Sequence, residues 1–167
     1  MMPQKGFLTL NSAISLAVMT LLSVTLLTLF YPKINVFLTT QDIKQAVQNV
    51  KRSALNSYRH DMLTSRCFSR PSHTSLPTLL NQDSALKRSL EGRLWSLRFQ
   101  FVMTHSPYPH PIRLDVTVVF PTQKALHRVI GSLTPDAHTA TTLTFRYPVT
   151  QDVSHYEQFD GTTGCLH

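Results

Sequence analysis

Between Gly6 and Lys33 the sequence carries no charged side chain, and no other feature constrains the fold as strongly. The run from Phe7 to Tyr31 reads FLTLNSAISLAVMTLLSVTLLTLFY. As a helix rising about 1.5 Å per residue it spans roughly 37 Å, enough to cross a bilayer core of about 30 Å with some tilt. A cleaved secretory peptide has an apolar stretch of only about 7 to 15 residues, followed by a small-residue site. This run is longer, and Tyr31-Pro32-Lys33 offers no such site. The core helix of a soluble protein is the alternative, but such helices seldom go this long without a charge. The run reads as a membrane-spanning helix.

Its polar content is also informative. Thr9, Asn11, Ser12, Ser15, Thr20, Ser23, Thr25 and Thr28 punctuate it. Small hydroxyl residues let helices approach closely and bond either to their own backbone or across an interface. Tyr31 suits an interfacial aromatic anchor. Only Lys5 flanks the run on the amino-terminal side, against Lys33, Lys44, Lys51 and Arg52 on the other. Counted alone, these charges place the larger part of the chain in the cytoplasm.

The cysteines argue the other way. Cys67 and Cys165 are the only two, and neither belongs to a CxxC pair, so zinc-ribbon and thioredoxin readings have no support. A bond between them would close a loop of about 97 residues and tether the Gly-containing tail GTTGC, stabilising the fold by about 4–5 kcal/mol in the loop-entropy model. Two unrelated buried thiols are the alternative. A disulfide implies an oxidising compartment, the periplasm or cell surface.

The first residues, MMPQKGFLTLNSAISLAVMTLL, combine a short leader ending Lys5-Gly6 with Phe7 and an unbroken apolar helix. This resembles type IV prepilins and the pseudopilins of type II secretion. The resemblance covers about the first 55 residues by pattern and the remainder by architecture alone. It implies cleavage between Gly6 and Phe7 by a prepilin peptidase on the cytoplasmic face, and N-methylation of the new terminal Phe7. It implies partners as well: other pilin subunits, the inner-membrane assembly platform and membrane lipid. It also implies a topology, with the leader inside and the main domain outside.

One position departs from the family pattern. The family normally carries a glutamate four residues after the phenylalanine, and Asn11 stands there instead. That carboxylate is thought to dock against the amino terminus of a neighbouring subunit. Asn11 accepts a hydrogen bond but brings no charge, so the resemblance implies a minor or tip subunit rather than a major pilin.

Beyond Lys33, Val36, Ile43, Val47, Val50, Ala54, Tyr58 and Met62 fall on one helical stripe, which extends the first helix as an amphipathic second half over residues 32–65. Pro32 should kink or locally melt it. Residues 66–78 read as a loop, and a short helix is expected over 81–93. Strand alternation follows in 95–103, 112–120 and 143–147, with a weaker strand over 126–133. The expected fold is α+β and pilin-like: a leader (1–6), a transmembrane helix (7–31), its amphipathic continuation (32–65), and a head (66–167) whose small antiparallel sheet packs on the long helix.

No enzyme is visible. Ser84 and Lys87 match an SxxK pattern, but its companion motifs are absent and the chain is too short for that fold. The eight histidines are scattered, and His105 and His110 lie in a Pro-rich stretch with no acidic partner nearby, so neither a metal site nor a cofactor is expected. The basic balance carries more information. Residues 33–98 hold eleven Lys or Arg against four Asp or Glu, and residues 99–167 hold four against five. Such a footprint suits DNA, anionic headgroups or acidic subunits, and equally suits a solvated face. The leading reading is a minor pilin or pseudopilin in adhesion, motility, secretion or DNA uptake. A DNA-binding pilus subunit and a signal-anchored periplasmic protein with no filament role are the rivals.

Overall fold

A computed structural model describes residues 5–68, 75–150 and 159–166, with side chains from residue 11 onward. Leader residues 1–4 lie outside the described residues, and Gly6 and Phe7 are described by their backbone alone. The chain is α+β. Its first element, α1, runs from Lys5 to Ser65 without a break, so Pro32 does not melt the helix. Two compact units divide at Thr39 and Thr40.

The second unit, from Thr40, is the head. Ile43, Ala46, Val47, Val50, Ala54 and Tyr58 of α1 are buried there at three- and four-residue spacings, the stripe that directs one face of a helix into a core. Against them lies an antiparallel sheet of β1 (Ser96–Thr104), β2 (His110–Val119), β4 (Thr142–Pro148) and the short β3 (Ala137–His138), in the order β1-β2-β4-β3. The register aligns three rows across it: Leu97–Val118–Leu143, Phe99–Val116–Phe145 and Phe101–Leu114–Tyr147. Because side chains alternate along a strand, these rows share one face, and they join the core formed by α1. Arg98, Arg113, Asp115, Thr117 and Arg146 take the other face, where Arg113 pairs with Asp115 at 2.7 Å.

Three local expectations are corrected. The single helix over 81–93 is two helices, α2 (Leu76–Gln82) and α3 (Ser84–Leu90). Asp83 separates them: its extended backbone ends α2, and its carboxylate accepts from the N–H groups of Ala85 and Leu86 to begin α3. The loop over 66–78 is shortened at its far end, because Ser75 caps α2 and Pro77 sits in the first turn, where no N–H is required. The weaker strand over 126–133 is instead α4 (Gln123–Val129), capped by Thr122 and followed by a 3-10 turn, Ile130–Ser132. The buried residues of this stretch, Leu126 and Val129 in α4 and Leu133 just past the 3-10 turn, have helical rather than alternating spacing.

A two-stranded tail, β5 (Phe159–Asp160) and β6 (Cys165–Leu166), completes the head.

Candidate functional site

The first unit consists of helix α1 up to Thr39. It is long and apolar enough to cross a membrane, and its most apolar stretch is wholly unburied. Large apolar side chains from Ile14 to Leu38 stand exposed, Leu21 at 71% and Tyr31 at 69%. Water would penalise so much apolar area heavily, at about 25 cal/mol per Å².

The hydroxyls resolve the other side of the same question. Thr20 donates to the Ala17 carbonyl, Ser23 to Met19, Thr25 to Leu21 and Leu22, and Thr28 to Thr25, all at 2.8–3.0 Å. Each of these donors is therefore satisfied within the helix. An unsatisfied polar group in hydrocarbon costs several kcal/mol, so this arrangement suits a lipid surround. These four hydroxyls make the internal bonds that the sequence allowed. Gly6 and Phe7 lie within the backbone of α1, and Asn11 is exposed on it.

In the head, the distinctive local structure is the staple between the end of α1 and the tail. Cys67 and Cys165 are joined by a disulfide. Backbone bonds flank it: Phe68 N–H donates to the Gly164 carbonyl and Leu166 N–H to that of Arg66, both at 2.8 Å. Beneath lies an aromatic cluster that sequence reasoning missed. Phe159 packs edge-on against both Phe68 and Tyr108, and Tyr108 in turn lies 4.6 Å from the His110 ring. The Tyr58 hydroxyl donates to the Phe68 carbonyl, which ties α1 into the cluster. Burial pushes the Tyr108 phenol above its ordinary pKa. The one sequence cue was Tyr108 itself, a large aromatic in a stretch otherwise rich in proline.

Asp160 orders the tail turn. Its carboxylate accepts from Thr162 N–H and from the Thr163 hydroxyl, and these bonds hold its pKa below the usual value. A lowered folded-state pKa gives an ordering contribution that is complete above the unfolded value of about 3.9 and is lost as pH falls through the folded one. The Thr162 amide resonance is therefore expected to stay constant from neutral pH to about 5 and to move below about 4. A Thr162 shift that titrates near pH 6.5 instead would assign the turn to a histidine.

The other candidate residues fall apart chemically. Ser84 and Lys87 are both exposed on α3, at its first turn and its last. His110 begins β2, and its Nδ1 lies 2.8 Å from the Tyr108 carbonyl. His105 remains in the loop. Among the described residues no three His, Cys, Asp or Glu side chains gather as metal ligands. The basic residues are only partly available. Arg93 is ion-paired with Asp42, and the Lys51 ammonium sits 4.3 Å from the centre of the Tyr147 ring. Burial and the nearby Asp136 charge raise the Tyr147 phenol. Lys44, Arg52, Arg59, Lys87, Arg88 and Arg98 are exposed.

Among the described residues these features define a class: an exposed apolar helix, long enough to span a membrane, and a disulfide-stapled α+β head. No family model, curated protein or solved structure matches it.

Proposed function

We propose that the chain is a minor type IV pilin or pseudopilin. It is a non-enzymatic subunit that inserts once in the bacterial inner membrane with its head in the periplasm. Prepilin peptidase trims it between Gly6 and Phe7, and the assembly platform incorporates it into a filament. The observation that carries this reading is the 61-residue helix α1, whose first part exposes an apolar surface with internally satisfied hydroxyls. The disulfide supports the oxidising side of the membrane for the head. Mass spectrometry of the mature amino terminus tests the proposal. A methylated Phe7 is expected, and an intact Met1 would replace the pilin reading with a plain signal anchor.

Two further outcomes follow. Gly6→Leu should block maturation when the peptidase is co-expressed, because a branched side chain obstructs the cleavage site; unchanged gel mobility of the processed product would reject prepilin processing. Asn11 sets the expected copy number. A neutral amide supplies one hydrogen bond, about 0.5–1.5 kcal/mol net, whereas an unpaired buried ammonium costs several kcal/mol. Filaments should therefore contain few copies, near the tip or in an initiating complex. If quantitative mass spectrometry found this chain to be the most abundant pilin, Asn11 would not mark a minor subunit.

A further inference from the structure

The exposed apolar surface of the first unit does not stop at Tyr31, where the charge-free run ends. It continues past Lys33 through Ile34, Phe37 and Leu38, which are 54%, 60% and 55% exposed. The character of the surface changes along the way. From Gly6 to Leu29 every position is uncharged, and the large apolar side chains from Ile14 to Leu29 are exposed all round the helix. From Phe30 onward the exposed large side chains gather on one side. At about 100° per residue, Phe30, Tyr31, Ile34, Phe37 and Leu38 fall within a wedge of about 120°. Lys33, Asn35 and Thr39 fall outside it.

Length shows why this wedge differs from the span before it. The twenty residues from Leu10 to Leu29 already cover about 30 Å, the thickness of a bilayer core. Carrying the whole stretch from Phe7 to Leu38 within that core would need roughly 48 Å of helix in about 30 Å of hydrocarbon, a tilt of about 50° and beyond the usual range of 0–40°. Because α1 runs on unbroken, these residues do not lie flat in the interface, but a tilt within that range turns one side of the emerging helix toward the headgroups, and a one-sided apolar face rich in aromatics and flanked by a lysine suits that side.

We infer that the wedge Phe30–Tyr31–Ile34–Phe37–Leu38 is a lipid-binding surface that seats in the headgroup layer of a phospholipid bilayer, with Lys33 reaching the phosphates. This rests on the membrane-spanning part of the proposed function and deepens it. The membrane footprint of α1 then ends at Leu38 rather than Tyr31. The Thr39 hydroxyl, which donates to the Asn35 carbonyl at 2.8 Å, is the next polar group beyond that boundary.

The test uses the full chain in vesicles of phosphatidylethanolamine and phosphatidylglycerol, with the native disulfide intact so that only an introduced thiol reacts. Leu21→Cys, Ile34→Cys, Asn35→Cys and Leu38→Cys are labelled with a membrane-impermeant maleimide. Leu21→Cys should be unreactive, Asn35→Cys should react rapidly, and Ile34→Cys and Leu38→Cys should react about tenfold more slowly than Asn35→Cys because they lie against lipid. Equal rates at positions 34, 35 and 38 with position 21 still protected would overturn the interfacial wedge and leave the span intact. Reactivity at position 21 would overturn the span itself. Protection at 34 and 38 that disappears on dilution with excess lipid would assign the wedge to a second copy of the chain, which also overturns the inference.

Discussion

Replacing both Cys67 and Cys165 with serine is expected to lower the unfolding free energy of the head by about 4–5 kcal/mol. The bond closes a loop across a sequence separation of 98, so its removal releases a loop that takes in most of the head. In the loop-entropy account the effect lies in the unfolded chain, which gains conformations that the bond denied it. For a head of this size that corresponds to a fall in the thermal midpoint on the order of 15 °C. Trp95 is the only tryptophan and is buried, so its emission reports head unfolding in the full chain held in detergent. The backbone bonds from Phe68 N–H to Gly164 and from Leu166 N–H to Arg66 remain in the variant, but each is worth only about 0.5–1.5 kcal/mol net. A midpoint within about 3 °C of the native chain would mean that tail contacts, not the bond, hold the terminus.

How far these features were legible in the sequence depends on the range of the interaction behind each. The charge-free run and the stripe through Ile43, Val47, Val50 and Ala54 are local periodicities, and α1 follows both. The three main strands appear where alternation places them, to within two residues at each end, because buried Leu114, Val116 and Val118 leave little freedom of register. Local side-chain chemistry was harder to read. Asp83 breaks a continuous helical pattern by capping, and α4 is a helix of only seven residues, whose apolar spacing at Leu126 and Val129 is helical and whose start is set by the cap at Thr122. The wedge at Phe37 and Leu38 was obscured by Lys33, which ends the uncharged run without ending the apolar face. The tail cluster was the least legible. It joins Tyr58, Phe68, Tyr108 and Phe159, residues up to about a hundred positions apart, and no local pattern announces contacts of that span.

Gly164→Ala should be the most damaging single-methyl change in the head, costing about 2–4 kcal/mol. Two effects combine. Gly164 has φ +73°, in the left-handed region that L side chains occupy only with strain. A Cβ there would also lie 2.3 Å from Cδ2 and 2.7 Å from Cγ of Tyr108. The ring cannot swing aside freely, since it is 6% exposed and held between His110 and Phe159. The tail must therefore lift, which strains the Gly164 carbonyl bond to Phe68 N–H. Gly161→Ala is the control: a Cβ at that position meets nothing within 4 Å, and its effect should stay within about 0.5 kcal/mol. If Gly164→Ala matched this control, Tyr108 would not be packed against the tail. Combining Gly164→Ala with the two cysteine replacements isolates the mechanism. Without the staple the tail can move off Tyr108, so the alanine should cost less than it does alone, giving an interaction energy of about 1–3 kcal/mol between sites in direct contact. Strictly additive losses would show that the clash with Tyr108 and the tether at Cys165 act on separate parts of the head.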